Sequence, residues 1–539
     1  MPRVIVLDDL SEEGLRLLQA EPDFEVVVQT GLKGDALRDA LRDFEGAICR
    51  SGVKITADSL AGNQRLQAIV RAGVGTDNID KAAATRQGVI VMNTPAGNTV
   101  STAEHSFALL LGLARNLAPA HASLLAGKWD RKSFECVEVR GKHLGIIGLG
   151  RIGLRVAQLA KAFEMKVWGL DPFLPRERAQ ELEIQLAENL DELLSKIDFL
   201  TVHTPLRNET NKLIGREQIA KMKRGARLVN CARGGIYDEE ALLEGLQSGQ
   251  LGGVALDVYE SEPNTTSPLF REPKTLCTPH LGASTEEAQR QVAVEAAELL
   301  IGFLRSGEIR QAVNIGAVDV KTLQRLRGFL NVAYRLGSLM AQWHGGAIDR
   351  CELSFDGEVA GEDTRLLTGS FAAGLLSGIA SDVNLVNAEM LCRERGIELV
   401  RSSRSENGTF NSLITATVSG EGQTLTAAGT VFGRNLPRLV RLQQYQLDAF
   451  MDGHLLVFSH RDVPGIIGYI GTNLARENVN VAQMSVGRAA PRPGGEAVGV
   501  LNLDTPAPET ALNLLSQHPE IQSARMIKLP PADFFPDLI

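Results

Sequence analysis

The sequence predicts an α/β protein in which two doubly wound parallel-sheet lobes, the second a Rossmann unit, precede an α+β unit and a ferredoxin-like βαββαβ unit. Three observations predict it. Short apolar strands alternate with amphipathic helices over residues 1–97, the rhythm of a parallel sheet. A glycine turn, Gly148-Leu149-Gly150-Arg151-Ile152-Gly153, stands between an apolar run at 144–147 and a helical pattern from Leu154. From His454 onward the patterns read strand, helix, strand, strand, helix, strand.

In chain order, strands are expected at 4–7, 24–28, 46–50, 66–71 and 89–93, with helices at 11–20 and 35–44 between the first of them. Ser101 and Glu104 have capping-box spacing at the head of a long apolar helix through Leu117. Further strands fall at 144–147, 166–170, 199–202, 227–230, 254–257 and 275–278, and a second box, Ser284 with Glu287, opens a helix through Leu304 that can cross back to the first lobe. Beyond Gly316 the pattern changes to a helix at 321–344 and then four strand patterns between 397 and 447, an antiparallel sheet with helices on one face. The expected boundaries are a first lobe of 1–97 with 285–316, a nucleotide lobe of 98–284, an α+β unit of 317–451, a βαββαβ unit of 452–530 and a tail of 531–539.

The chain has 539 residues, more than one hydrophobic core usually supports. A net charge of −9 and a pI near 5.7 argue against nucleic acid as a partner. No apolar run approaches a membrane span of about 18 residues, and the sequence opens on a strand rather than a basic-apolar leader, so a cytoplasmic protein is expected, or an organellar one after leader removal. Six scattered cysteines without a CxxC pair signal neither a metal site nor a disulfide framework.

In the glycine turn, Gly148 permits the tight bend, Gly150 lets backbone approach a pyrophosphate, and Gly153 lets the helix lie against the strand, with free helix N–H groups at Arg151 and Ile152 facing phosphate. Asp171 closes the next strand near the spacing of a ribose-binding acid. Its carboxylate would repel a 2′-phosphate, which favours NAD over NADP. Hydride transfer to a 2-oxo acid also needs a cation for the carboxylate and carbonyl, a proton donor, and a group that keeps the donor protonated. Arg233, His280 and Glu262 supply one of each, all just past strand ends, where the ligand crevice of an open α/β sheet forms.

These residues, with Arg71-Ala72-Gly73-Val74-Gly75, His203-Thr204-Pro205, Asn230-Cys231-Ala232-Arg233 and Pro279-His280-Leu281-Gly282-Ala283, resemble the markers of the D-isomer-specific 2-hydroxyacid dehydrogenases, in order, over residues 1–316. The resemblance implies Arg233, Glu262 and His280 as the catalytic set. It implies Asp257 near the nicotinamide carboxamide, Thr204, Cys231, Ala232, Gly282 and Ala283 along the cofactor, and backbone N–H groups at Val74 and Gly75 on the substrate carboxylate. The whole length is similar to the family's long form, with an intervening domain and a C-terminal ACT domain. That form implies NAD-dependent oxidation of 3-phospho-D-glycerate to 3-phosphohydroxypyruvate at the start of L-serine synthesis, with 2-oxoglutarate as a further substrate to test. A glyoxylate or hydroxypyruvate reductase is the alternative enzyme, and a nucleotide-sensing co-repressor the alternative class.

A phosphorylated 2-hydroxy acid needs further cations. Arg50 and Arg71 follow strands of the first lobe, and Arg131 resembles a residue that reaches a neighbouring subunit's site; without the resemblance, Arg71 and Arg131 read equally well as solvated surface arginines. The ACT resemblance implies association into a homo-oligomer, dimer or tetramer, and L-serine as an effector held by His460, Asp462 and Asn480.

Overall fold

The computed structural model describes residues 1–316, 319–379, 383–405, 408–433, 435–489 and 494–534. The turn expected at 491–495 and the end of the expected tail therefore lie partly outside the described residues. In the first lobe, β1 (Arg3–Val6), β2 (Glu25–Val28), β3 (Gly46–Cys49), β4 (Ala68–Arg71) and β5 (Ile90–Asn93) form a parallel sheet in the order β2-β1-β3-β4-β5. Their residues are apolar on both faces because helices cover both. One of these is Glu286–Ser306, which returns from the nucleotide lobe and packs Val292, Ala296 and Leu300 against β1, β3 and β4. Its cap is Thr285, whose Oγ1 accepts from Ala288 N at 3.2 Å, so the Ser284 box is displaced by one residue and has no reciprocal glutamate.

The nucleotide lobe is a seven-stranded parallel sheet of β6 (His143–Ile147), β7 (Lys166–Leu170), β8 (Gln185–Leu186), β9 (Phe199–Val202), β10 (Ala226–Asn230), β11 (Leu251–Leu256) and β12 (Thr275–Cys277). The order β12-β11-β10-β9-β6-β7-β8 reverses between β6 and β9, and a ligand crevice opens at such a switch point. The long helix Thr99–Ala114 starts two residues before Ser101, which is buried inside it and donates its hydroxyl to Gly282 O at 2.8 Å. Ser101 thus ties this helix to the loop after β12 rather than capping it. Among the described residues no single helix is long and apolar enough to cross a membrane.

The third sheet holds six strands: β13 (Arg350–Gly357), β14 (Glu398–Arg404), β15 (Ser412–Gly420), β16 (Gln423–Phe432), β17 (Leu436–Leu442) and β18 (Tyr445–Phe450), in the order β14-β13-β15-β16-β17-β18. All pairs are antiparallel except β13 with β14. Five strands, not four, therefore fill the stretch from Ile397, and β13 is additional. Helices Val320–His344 and Thr364–Leu376 cover one face. They touch backbone to backbone at Gly337, where a Cβ would meet Phe371 O at 2.0 Å.

The last unit is βαββαβ as expected: β19 (His454–Arg461), β20 (Val481–Arg488), β21 (Glu496–Leu503) and β22 (Ile521–Lys528) in the order β20-β21-β19-β22, with helices Ile466–Arg476 and Glu509–Ser516 on one face. Its other face is not open. Leu455, Val457, Val498, Val500 and Ile527 join Leu439, Leu442 and Ala449 of the third sheet in one apolar core that continues into the first lobe. Residues 530–534 are also docked rather than a free tail. Arg335, fully buried on the helix Val320–His344, spends all five N–H groups there and nearby: on Asn331 Oδ1 (2.7 Å), Met451 O (2.6 Å), Pro530 O (2.6 Å), Pro531 O (2.7 Å) and Phe534 O (3.2 Å).

Candidate active site

The glycine turn behaves as its sequence requires. Gly148 has φ +87°, a conformation that favours glycine, and a Cβ there would meet His203 O at 2.8 Å. A Cβ on Gly153 would lie 2.0 Å from Gly148 O, which is why the helix Arg151–Ala162 can sit this close to β6. Gly150, its N-cap, faces open space, and the amides of Arg151 and Ile152 behind it have no acceptor among the described residues. Beside the turn, Thr204 Oγ1 and His203 Nδ1 are buried without a partner, and burial lowers the His203 imidazole to about 4. Asp171 accepts from Leu149 N at 2.7 Å and Phe173 N at 2.8 Å, so it braces the turn while standing at the end of β7. Orphaned buried polar atoms beside an open glycine cradle fit a bound dinucleotide.

Arg233, Glu262 and His280 converge at the cleft between the first two lobes. Asn230 turns the chain after β10 by accepting from Ala232 N at 2.9 Å and donating to Arg233 O at 2.8 Å. This directs the Arg233 guanidinium across to the first lobe, where Nε bonds Asp77 Oδ2 at 2.9 Å and Nη2 lies where a Cβ of Gly75 would be, 1.9 Å from it. The amides of Val74 and Gly75 have no acceptor among the described residues, and Val74 O is held by Asn93 Nδ2 at 2.5 Å. His280 Nδ1 bonds Glu262 Oε2 at 2.7 Å, and Glu262 Oε1 accepts from Tyr259 N at 2.9 Å. The Glu262 hydrogen bond raises the His280 pKa against the opposing effect of burial. Burial would raise Glu262 in turn, but its bonds to His280 and Tyr259 outweigh that and lower it. His280 Nε2 is left to face the cleft.

Asp257 is a clamp for this histidine. Its carboxylate accepts from Thr278 Oγ1 (2.6 Å), Leu281 N (2.7 Å) and Gly282 N (2.8 Å), while its carbonyl accepts from His280 N at 2.9 Å. These bonds hold His280 at φ +56°, an uncommon conformation for a side-chain-bearing residue. His105, on the helix Thr99–Ala114, lies 3.2 Å from both Asp257 Oδ1 and Thr278 Oγ1. Cys231 joins His105 and Asp257 in a cluster whose ligand atoms lie within 4.8 Å of one another. Burial pushes the Cys231 thiol up to about 12 and the carboxylate is already occupied by donors, so the cluster is built to position a loop.

A cavity of about 650 Å³ is lined by Arg50, Arg71, Gly73, Asn98, Glu262, His280, Ala283 and Gln289. Arg71 is not a solvated surface residue: its guanidinium folds over Gly73, its Nε is buried without a partner, and it makes no ion pair among the described residues. Burial lowers its pKa, and Arg233 and Arg50 act in the same direction. A guanidinium remains charged regardless, so the cleft mouth carries a cation with unused donors. Arg50 Nη1 donates to Asp9 O at 3.1 Å beside it. Arg131 is exposed and outside this lining. Sequence reasoning missed Asn93, Asn98, His105 and Gln289; Asn98 was legible as the asparagine between β5 and an apolar helix, a position where N-caps gather.

The effector set does not assemble within one chain. His460 is buried, with Nδ1 on Arg461 O at 2.7 Å and Nε2 without a partner, and Asp462 pairs with Arg488 Nε at 2.8 Å. Asn480 instead bonds Asp504 at 2.7 Å next to Val481, which pairs with Leu503, whereas Arg461 pairs with Glu496. Asp462 and Asn480 thus sit at opposite ends of eight-residue strands, roughly 25 Å apart. Sequence proximity of their two loops in the pattern gave no measure of strand direction.

Comparison with known proteins agrees with this geometry. Residues 107–282 match the NAD-binding domain of the D-isomer specific 2-hydroxyacid dehydrogenases, and residues 325–443 match the D-3-phosphoglycerate dehydrogenase intervening domain. The chain is 40% identical over 530 residues to D-3-phosphoglycerate dehydrogenase of Methanocaldococcus jannaschii, covering 98% of this chain and 100% of the relative. It is 39% identical over 531 residues to that of Bacillus subtilis, with the same two coverages. A solved glyoxylate reductase from Paecilomyes thermophila shares 27% identity at a TM-score of 0.54, covering 58% of this chain and 98% of its own. The intervening-domain match over 325–443 and the full-length likeness decide between the two: this chain belongs to the D-3-phosphoglycerate dehydrogenase family of NAD-dependent 2-hydroxyacid dehydrogenases.

Proposed function

We propose that the cleft oxidises 3-phospho-D-glycerate to 3-phosphohydroxypyruvate with NAD. The observation that carries this reading is the half-buried Arg71 guanidinium, whose Nε has no partner, beside Arg50 in a cavity that Glu262 and His280 also line. The Val74 and Gly75 amides and Arg233 take the substrate carboxylate, which aims the hydroxyl at His280 Nε2, while Arg71 and Arg50 take the phosphate. The glycine turn and Asp171 would hold NAD, which when bound would supply the acceptor for the hydride at C2. His280 Nε2 takes the hydroxyl proton, and Glu262 stabilises the imidazolium so formed. In reduction the same imidazolium returns the proton while Arg233 offsets charge on the carbonyl oxygen. The initial-rate test is Arg71→Ala. It should weaken phosphohydroxypyruvate reduction at least tenfold more than hydroxypyruvate reduction, since charge-assisted bonds to phosphate are worth roughly 1.5–3 kcal/mol. Equal losses on both substrates would mean that Arg71 does not read the phosphate.

The NAD preference rests on Asp171 at the end of β7, whose carboxylate would repel a 2′-phosphate. Asp171→Ala should narrow the ratio of NAD to NADP turnover, and the unmutated protein should discriminate strongly; equal use of both cofactors by the unmutated protein would refute the assignment. The domain boundaries at 97/98, 284/285, 316/317 and 451/452, and an ACT identity for the last unit, belong to the same proposal.

Assembly is supported by the helix Leu117–Leu125, which buries no residue. Leu117, Leu124, Leu125 and Trp129 are 60%, 56%, 76% and 83% exposed, an apolar patch with Arg131 at its edge. A second copy of the chain would cover it and carry its Arg131 toward the other's cleft. Use of both Asp462 and Asn480 on one L-serine molecule likewise requires two chains, with β20 and the helix Ile466–Arg476 offering the exposed Met484, Val486 and Ile467 as contact surface.

A further inference from the structure

A second cavity, of about 450 Å³, lies in the seam between the first lobe and the α+β unit, remote from the catalytic group. Residues 313–316 of the strip 311–316 form one wall and the helix Ala388–Glu394 another. Val313, Leu366, Leu385, Val386 and Met390 make it apolar at the base. Polar groups gather at one side. Arg365 is consumed by a two-point pairing with Asp363, at 2.9 and 2.7 Å. Glu389 has only a marginal partner, Arg401 at 3.5 Å. Arg393, one helical turn beyond Glu389, makes no ion pair or side-chain hydrogen bond among the described residues. Burial raises the Glu389 carboxyl against the opposing effects of Arg401, Arg393 and Arg365.

A half-buried carboxylate with no close partner and an exposed guanidinium one turn away, beside apolar lining residues, are complementary to an ammonium, a carboxylate and an apolar side chain. We propose that this seam cavity binds a free α-amino acid with an apolar side chain, its ammonium on Glu389, its carboxylate on Arg393, and its side chain against Leu366 and Met390. The cavity wall is tied to the catalytic cleft. Val313 N donates to Val91 O at 2.8 Å, Asn314 Oδ1 accepts from Val91 N at 2.9 Å, and Asn93 N donates to Gln311 O at 3.2 Å. The strip therefore lies along β5, whose last residue, Asn93, holds the Val74 carbonyl. A ligand that favours one position of the strip over another would bias the Val74-Gly75 loop.

The test is calorimetric titration of the full-length protein with L-leucine, L-methionine and L-serine, repeated on Arg393→Ala, Glu389→Gln and Met390→Trp. Leucine or methionine should bind with a dissociation constant of millimolar or below, weakened at least tenfold by Arg393→Ala and by Glu389→Gln, and lost in Met390→Trp, which fills the base. NADH affinity should be unchanged in all three, which also reports that each variant is folded. No heat from either apolar amino acid, heat that survives Arg393→Ala unchanged, or serine binding equally well at this site would overturn the proposal. The assay reads binding alone, so it stands or falls independently of the assigned activity.

Discussion

His280→Asn is expected to lower turnover in both directions by at least ~10²-fold, the usual scale for removing a general acid-base group, while NADH affinity changes little. Asparagine retains polarity and rough size, but its amide cannot carry the proton that moves between Nε2 and the substrate oxygen. Stopped-flow measurement of the chemical step, beside NADH titration by fluorescence quenching, separates the two effects. Turnover within threefold of the unmutated enzyme would remove His280 as the proton carrier.

The pH dependence follows from the same pair. Reduction needs the imidazolium, and Glu262 raises the His280 pKa, so kcat/KM for reduction should fall as pH rises through that elevated value. Oxidation should rise over the same interval. Glu262→Gln removes the raising group, and the reductive limb should move to lower pH; an unmoved limb would detach Glu262 from the titration. Stability has matching signs. The raised His280 contributes fully below the ordinary histidine value and is lost as pH rises through its folded value. The lowered Glu262 contributes above the ordinary carboxylate value and is lost as pH falls through its folded value. The pair therefore supports the fold between those limits.

The second large effect is expected at Arg335, far from the cleft. Arg335→Met would remove the donor that Asn331 Oδ1 and the carbonyls of Met451, Pro530, Pro531 and Phe534 share, although Pro530 O, Pro531 O and Phe534 O keep a second donor in Gly453 N, Phe534 N and Asn331 Nδ2. The two acceptors then left unpaired, Asn331 Oδ1 and Met451 O, cost about 1–3 kcal/mol each before relaxation, and the charged bonds to the other three carbonyls are lost as well, so a net loss of ~3 kcal/mol is expected. For a unit of 150–250 residues that corresponds to a fall in Tm of roughly 10 °C. Truncation after Leu529 should have a similar effect from the other side, by stranding a buried guanidinium with two of its five acceptors. Arg335→Lys should not rescue it, since an ammonium has three donors and no planar fork. A calorimetric transition within 2 °C of the unmutated protein in both the Met variant and the truncation would show that the segment 530–534 does not fasten the last two units together.

Much of this was legible because the relevant signals are local. The glycine turn, the strand before it and the acid after it all lie within one βαβ unit, and each residue answers a steric or electrostatic need of its own neighbourhood. Arg233, Glu262 and His280 were legible as residues just beyond strand ends, since the crevice of a parallel sheet lies there whatever the long-range details. Three-dimensional partners were not. Ser101 matched a cap by spacing, yet the helix begins earlier and its hydroxyl reaches Gly282, a contact across 181 positions. Arg71 read as a phosphate contact or, equally well, as a surface residue, because nothing in the sequence says that Gly73 leaves room for its guanidinium to fold inward. The alternation in β13, Cys351, Leu353 and Phe355 inward with Glu352, Ser354 and Asp356 between, was present but overlooked beside stronger helical patterns. The separation of Asp462 from Asn480 depends on strand direction, which a pattern of elements does not reveal until the sheet order is known.

The most direct test is a side-by-side measurement of kcat/KM for NADH-dependent reduction of phosphohydroxypyruvate, hydroxypyruvate, glyoxylate and 2-oxoglutarate by the full-length protein. Phosphohydroxypyruvate should exceed hydroxypyruvate and glyoxylate by at least tenfold, with the advantage falling in Arg71→Ala and Arg50→Ala. Hydroxypyruvate or glyoxylate reduced as efficiently as phosphohydroxypyruvate, with no change in that ratio in either arginine variant, would contradict a phosphate-reading cleft.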